Sequence, residues 1–496
     1  MRRLLSLALL CALATPARAH DDIRCGTPSR LPEIIARPRP HIAFAGPPPI
    51  AKTTRDSFGA GFEVRESANF AVKWDNAAVT EERAQLILAA LEDAWLVYFG
   101  EMGHAEPTGA ETYRINAYIT GPAEQPGIDF RGGYANVDDD GYPFFVLSED
   151  LMPTDISDET LRHVAVHEFY HDVQLSRFAF YDNAAIWYWE STAEWASQQM
   201  YPDDLDGFLF VGAFALAPQL PLFYYGDPFG GDPIAGVHQY GTSIFPRFIS
   251  EHVGSVTTIP QTWETANELS DPLRFLDQVL EDASLPEAFF EFTARNAVWD
   301  YPQRDFLLIA VESYAQAYPE RSGVVARIGA NGSGGWTDAP SATRPGAFGY
   351  NVIEIDRPTD GELYLAVELE SAGSAGSPGA MRATLVRENG DGIQYAAVDD
   401  ELTVTLDATE HTAWLVVGAT SHARNENETF DYRFKIGATD PNPDPDADAG
   451  SDPDPDPDSD DGGGCGCTTS SSGSAPTASL GLFAVVLVIR KRKRKR

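Results

Sequence analysis

The chain is short of cysteine and of positive charge, and each shortage excludes something. It has four Cys in 496 residues, and one of them, Cys11, lies inside the apolar N-terminal stretch. The others, Cys25, Cys465 and Cys467, leave no internal pairs, so the fold is not built on disulfides. Cys25 is either a single thiol or the partner of a tail cysteine or of another chain. Lys and Arg number 36 against 74 Asp and Glu, a net charge of −38. Setting aside Arg2, Arg3, Arg18 and the seven basic residues from Arg490 to Arg496 leaves 26 against the same 74. That balance argues against a nucleic-acid partner. It suits a soluble extracellular domain in saline or calcium-containing surroundings. Long apolar runs are also scarce. The stretch from Ala475 to Ile489 is only fifteen residues, short for a stable membrane span.

What is present divides the chain into segments. Met1-Arg2-Arg3, the apolar run Leu4 to Ala14 and the small-x-small site Ala17-Arg18-Ala19 read as a secretory signal peptide over 1–19, which implies export. Residues 20–55 form a Pro-rich leader. A plain linker is expected there rather than a pro-segment or a strap, since no inhibitory cysteine stands in a recognisable switch motif. Residues 439–474 hold an acidic Asp-Pro stalk, disordered and extended, and the Gly-Cys motif around Cys465 and Cys467. Residues 475–496 form a short hydrophobic helix with a basic end, which would stay cytoplasmic. This layout resembles the C-terminal sorting tails of myxobacterial surface proteins. The resemblance implies processing near the cysteines and membrane or cell-surface attachment; the alternative is a simple anchor.

The chain is organised around His167-Glu168-Phe169-Tyr170-His171. Residues four apart share one helix face, so the two imidazoles can share one metal ion. Glu168 then lies where it can take a proton from a metal-bound water. Ser157 or Asp155 can cap this helix, Asp158 and Glu159 favour its first turn, and no Pro or Gly interrupts 157–176. A second helix-compatible run, 184–200, carries Glu190 in Trp187-Tyr188-Trp189-Glu190-Ser191-Thr192-Ala193-Glu194-Trp195. A link of about a dozen residues lets the helices lie antiparallel, so Glu190 can face the histidines. Glu194, one turn on, is the less favoured substitute ligand. His163 fits a supporting role, and Asp172 is either an acid that orients a ligand imidazole or a solvent-facing one.

These residues resemble the gluzincin metallopeptidases, with H-E-x-x-H, a spacer near eighteen residues and a Glu on a second helix. Ser191 stands where that family commonly has Gly. The resemblance implies one zinc ion per chain held by His167, His171 and Glu190, with Glu168 as general base and a protein or peptide as substrate. It also implies an oxyanion stabiliser after the Glu helix, for which Tyr240 and His238 are the available positions, and an edge strand that binds substrate backbone, for which 144–148 is the candidate. The competing hypothesis is a surface adhesin that keeps the metal helix without turnover; the intact Glu168 speaks against it.

The expected fold is α+β: a zincin-like catalytic domain over 56–330, with strands first, then the zinc helices and a mainly α lower part. Strands are expected at 62–64, 70–74, 113–120 and in a hairpin of 133–137 with 144–147, and helices at 80–99, 271–282, 286–299 and 302–317. The Asp138–Asp140 turn offers a weak Ca2+ site, with a solvated turn as the alternative. After a Gly/Ser/Pro-rich boundary the period changes to two, and six short strands over 345–438 read as an antiparallel β-sandwich.

Overall fold

Alternating apolar runs in the first third of the chain build one six-stranded sheet. The computed structural model describes residues 23–37, 51–59, 61–77, 79–280, 283–357, 361–407 and 409–437. The expected signal peptide, acidic stalk and C-terminal helix lie outside them. Among the described residues no helix is long and apolar enough to cross a membrane. The strands are β1 (Arg24–Cys25), β2 (Glu63–Glu66), β3 (Phe70–Trp74), β4 (Ile115–Thr120), β5 (Gly132–Val137) and β6 (Pro143–Ser148), in the order β1-β5-β6-β4-β3-β2. β3, β4 and β6 run parallel, and β5 returns antiparallel to β6. All residues of β3, β4 and β6 are buried, as expected of strands covered on both faces.

Two expectations need correction here. The strand at 144–148 is not an edge: β6 is paired on both sides, to β4 and to β5, so it has no free ladder to offer. The edge on that side is β1, which pairs in parallel with β5, with Arg24 opposite Gly132 and Cys25 opposite Gly133. Nor are residues 23–36 a plain linker. After β1 they form helix α1 (Thr27–Ala36), with Pro28 in its first turn where no amide partner is needed. Leu31 and Ile34 are buried against the main core, about 1.5–3 kcal/mol each by area. The Arg30 guanidinium lies 3.5 Å from the Tyr134 ring centroid, and Arg37 donates to the Val137 carbonyl at 2.6 Å.

Helix α2 (Glu81–Trp95) is capped by Thr80, whose hydroxyl accepts from the Arg83 amide, and leads into a π-helical turn at Leu96–Glu101. Helix α3 (Asp158–Leu175) is capped by Ser157, which accepts from the Thr160 amide. Burial of α3 covers every face of its second half, well beyond the apolar stripe that the sequence shows. One side meets an aromatic cluster: Phe169 lies 4.8 Å from Phe70, 5.5 Å from Tyr98 and 6.4 Å from Trp95, centroid to centroid. The other side meets α4 (Ile186–Met200), where Trp187, Trp189 and Trp195 are fully buried. The Trp189 indole donates to the Phe180 carbonyl and the Trp195 indole to Ser250, so burial leaves neither N–H orphaned.

The chain reverses between α3 and α4 through Phe178 and Phe180, both in the left-handed region at φ 53° and 60°. A bulky residue adopts that conformation only when packing holds it. Phe180 is held by an amide bond to the Asn267 carbonyl and by edge contact with Trp263 at 4.9 Å. Short helices α5 (Leu209–Ala215), α6 (His238–Gly241), α7 (Ile244–Phe248) and α8 (Thr258–Thr265) follow, then α9 (Pro272–Val279), α10 (Leu285–Asn296) and α11 (Arg304–Ala317).

The last part is two sheets. Strands β7 (Val324–Ile328), β8 (Thr337–Asp338), β9 (Gly349–Asp356), β10 (Glu362–Leu369), β11 (Gly379–Asn389), β12 (Gly392–Val398), β13 (Glu401–Thr405), β14 (Thr412–Ser421) and β15 (Tyr432–Gly437) form β13-β10-β15-β8 and β12-β11-β14-β9-β7. Their inward residues, among them Ile353, Leu365, Leu385, Leu415 and Phe434, share one core. The expected purely antiparallel arrangement is broken by β7, which joins β9 in parallel and starts this part before residue 330. Aromatic contacts join it to the helices: Phe289 to Phe348 at 5.2 Å and Phe292 to Tyr350 at 6.3 Å. The folded part is therefore mixed α and β, with several sheets, and continuous in its packing.

Phe169 sits on α3 with its ring against Phe70 of the sheet. Phe169→Ala is expected to cost about 3–5 kcal/mol of unfolding free energy. Guanidinium unfolding followed by fluorescence checks it.

Candidate metal centre

Four-residue spacing on two antiparallel helices produces two layers of side chains. In the first layer His167 and His171 of α3 face Glu190 of α4. The two Nε2 atoms are 3.2 Å apart, and Glu190 Oε2 lies 3.2 Å from His167 Nε2 and 3.7 Å from His171 Nε2. For metal–ligand bonds of about 2.0–2.1 Å, the edge of a tetrahedron is roughly 3.3 Å. The three expected donors are thus brought together at ligand spacing.

A fourth donor joins them from 142 residues upstream of His167. Cys25 Sγ lies 3.2 Å from His171 Nε2, and the ligand atoms of Cys25, His167, His171 and Glu190 all fall within 4.8 Å of one another. All four residues are buried. The sequence offered one signal for this: a lone cysteine, in a chain poor in them, next to a Gly that permits close approach. The expectation of an unengaged or disulfide-paired Cys25 is replaced by a free thiol inside the site.

The second layer fixes the imidazoles. Glu194 Oε2 lies 3.1 Å from His167 Nδ1, and its Oε1 lies 2.9 Å from His163 Nε2. Glu194 is therefore behind His167, and Glu190 holds the ligand position. Gln174 Oε1 accepts from His171 Nδ1 at 2.5 Å, while its amide donates to the Trp189 carbonyl and to Thr192. With a metal bound, both rings would keep the proton on Nδ1 and turn the Nε2 lone pair to the centre. Asp172 does not orient an imidazole. Both of its oxygens are buried without a hydrogen bond among the described residues, and burial, with Glu168 nearby, pushes its carboxyl well up.

The electrostatics favour a cation. Glu168, Glu190, Glu194 and Asp172 are all buried, and the charges that act on them come from one another and from His163, His167 and His171. Glu190 Oε1 is buried with no hydrogen-bond partner. Burial raises the Cys25 thiol well above its ordinary range, and Glu168 and Glu190 push it further. A divalent cation would invert that field and stabilise a thiolate. The donor set, two imidazoles, a carboxylate and a sulfur, fits zinc.

Glu168 lies beside this centre. Its Oε2 is 3.6 Å from Cys25 Sγ and accepts from the Thr27 hydroxyl at 3.4 Å. Burial outweighs the attraction of the two histidines and lifts its carboxyl to about 6. Gly133 makes room for it: a Cβ there would stand 2.5 Å from Glu168 Cγ.

The two candidate oxyanion stabilisers part company. The Tyr240 ring is 6.2 Å from that of His167, and its hydroxyl accepts from the Cys25 amide at 3.2 Å. His238 packs instead between Phe214 and Tyr224, where burial lowers it to about 4 and keeps the ring neutral. Tyr225, which sequence reasoning passed over, feels the charges of Glu190 and Cys25, so a second phenol lies near the centre. The Asp138–Asp140 turn is closed by protein groups: Asp138 accepts from Arg55, from Ser57 and from the amides of Asp140 and Tyr142.

A family model described as a family of unknown function, DUF6055, matches residues 52–442. No curated protein matches the chain. His167, Glu168, His171 and Glu190 fall within the matched residues, and Cys25 precedes them.

Without a metal, the cluster makes stability depend on pH. Hydrogen bonds to Glu190 and Glu194 overcome the effect of burial and raise His167 from 6.5 to about 10. Its contribution is full below pH 6.5 and is lost as pH rises through 10. Burial alone would raise Glu190, but the two histidines lower it from 4.5 to about 2, so its contribution is present above pH 4.5 and lost as pH falls through 2. Chelator-treated protein is expected to have its highest melting temperature between about pH 4.5 and 6.5, with both limbs flattened in Glu190→Gln; a pH series of thermal unfolding checks this. Zinc must displace the His167 proton, so its affinity is expected to rise with pH, and calorimetry in buffers of different ionisation enthalpy should register the released proton.

Proposed function

The chain belongs to the DUF6055 family, whose function is unknown, and from its site we propose that it is a zinc-dependent metallopeptidase of the gluzincin kind. On this reading residues 23–323 form a zincin-like catalytic domain, and the two sheets after it form a β-sandwich. His167, His171 and Glu190 would hold the ion. Zinc there would supply Lewis acidity toward a peptide carbonyl and lower the pKa of a water.

The chain's own residues do the rest. Glu168, with a carboxyl lifted to about 6, accepts the proton of the attacking water and returns it to the leaving amine. Tyr240, and not His238, donates to the developing oxyanion. Glu194 and Gln174 keep the imidazoles oriented. The ladder of β5, which β1 occupies here, is the one on which an extended substrate backbone would add as a strand. The reading includes export directed by residues 1–19 and surface attachment through 439–496.

The observation that carries the proposal is Glu168. A metal site that only stabilises the fold has no use for a buried carboxylate beside its donors, at the spacing a base requires. One observation favours a second reading. Cys25 completes a four-protein-ligand set, and closed sets are the mark of structural sites, which suits a non-catalytic surface binding protein.

Metal analysis and peptide-library hydrolysis decide between them, using the wild-type chain and Leu31→Glu, in which the α1 segment loses its buried anchor. The expected result is one zinc per chain, with hydrolysis that Glu168→Gln lowers by about 10²–10⁴-fold while zinc is retained. Zinc without hydrolysis by either protein would favour the binding reading.

A further inference from the structure

We propose that Cys25 is the fourth ligand of the metal centre and that the segment Ile23–Ala36 holds the enzyme latent by lying along its own substrate edge. The inference rests on the peptidase reading above. Each group that the reaction needs is engaged by this one segment.

Cys25 Sγ stands 3.2 Å from His171 Nε2 and 3.6 Å from Glu168 Oε2, where it would take the fourth position on a metal held by His167, His171 and Glu190. The base is also held by the Thr27 hydroxyl at 3.4 Å, and Thr27 Oγ1 accepts from the Ala135 amide at 2.8 Å. The Tyr240 hydroxyl is engaged by the Cys25 amide. The edge of β5 is filled by backbone: the Arg24 amide donates to the Arg131 carbonyl at 3.0 Å and the Gly26 amide to the Gly133 carbonyl at 2.8 Å. Gly132 allows this approach, since a Cβ there would collide with the Arg24 carbonyl.

What lies over the centre is a sulfur, so the segment presents no scissile carbonyl there. It blocks the site without being its substrate. Anchoring lies away from the chemistry: Leu31 and Ile34 in the core, Arg30 over Tyr134, and the Arg24 guanidinium donating to the Pro228 carbonyl at 2.6 Å. Binding through both anchor and ligand makes the sulfur's effective concentration at the metal high, so a substrate must compete with an intramolecular partner. Opening would require only ligand exchange at a bound metal: Cys25 would yield its place to a water and its sulfur would take a proton from solvent, with nothing oxidised or reduced.

Cobalt substitution in the full chain tests the ligand separately from activity. Cobalt-loaded wild-type protein is expected to show a thiolate-to-cobalt charge-transfer band. Cys25→Ser should lose the band and keep one metal ion. Leu31→Glu, with Cys25 intact, should weaken the band and raise peptide hydrolysis by roughly tenfold or more over wild type, as the open population grows. Glu168→Gln should abolish that gain. Should Leu31→Glu fail to fold, Arg30→Ala, at a half-exposed site, serves as the second variant. A wild-type protein that binds cobalt without the band overturns the ligand assignment and leaves the peptidase reading to its own test. Hydrolysis by wild type as fast as by the unseated variants overturns latency. A band present with no hydrolysis by any variant overturns the peptidase reading and latency together.

Discussion

Everything in this fold turns on keeping charge inside it. Helices α3 and α4 bury four carboxyl groups and three imidazoles between them, and the largest charge effects on Glu168, Glu190 and Glu194 come from these histidines and carboxylates. Isolated buried charge is prohibitively costly, so the groups must pair with one another or with a cation. The surrounding structure serves that need. Trp189 and Trp263 close one end, the aromatic cluster around Phe169 closes another, and the sheet covers the rest. The strained reversal at Phe178 and Phe180 lies between the two helices, and its cost is carried by the packing of Phe180 on Tyr188 and Trp263.

The same constraint explains why the side chains come in layers. A ligand imidazole must be neutral, in one tautomer and correctly turned. Glu194 fixes the tautomer and turn of His167, and Gln174 those of His171. The partner differs because the helix geometry differs. Glu194 reaches across from α4, while Gln174 is one turn along α3 from His171. Loss of either would leave the donors present and loosely aimed, which in a metal site is a functional loss more than a structural one.

The leader changes the meaning of the site. Seen without Cys25, the centre has three protein donors and an open side, the arrangement of a hydrolytic metal. Seen with it, the set is closed. Both descriptions belong to one protein if the segment Ile23–Ala36 is an intramolecular occupant, as proposed, because its strand uses the backbone ladder and its thiol uses the fourth position at once. The division of labour is physical: apolar anchors in α1 give affinity, and the sulfur gives register.

The sequence alone determined whatever depends on local spacing. His167 and His171 share a face because they are four residues apart in a helix that Ser157 caps. Glu168 follows, and Glu190 and the strands of period two were legible for the same reason. Glu194 and His163, each one turn from a ligand, carried a readable hint of the second layer. Only the tertiary structure decided what depends on distant pairing. It put β6 in the interior of the sheet, paired to β4 and β5, and set β1 beyond β5 at the edge. It chose Tyr240 over His238 by which face of α6 meets the centre. It brought Cys25 to Glu168 across 143 residues, a juxtaposition to which no periodicity points. Helical spacing is written in consecutive residues; the partner of a lone cysteine is chosen by which surfaces are left to bury.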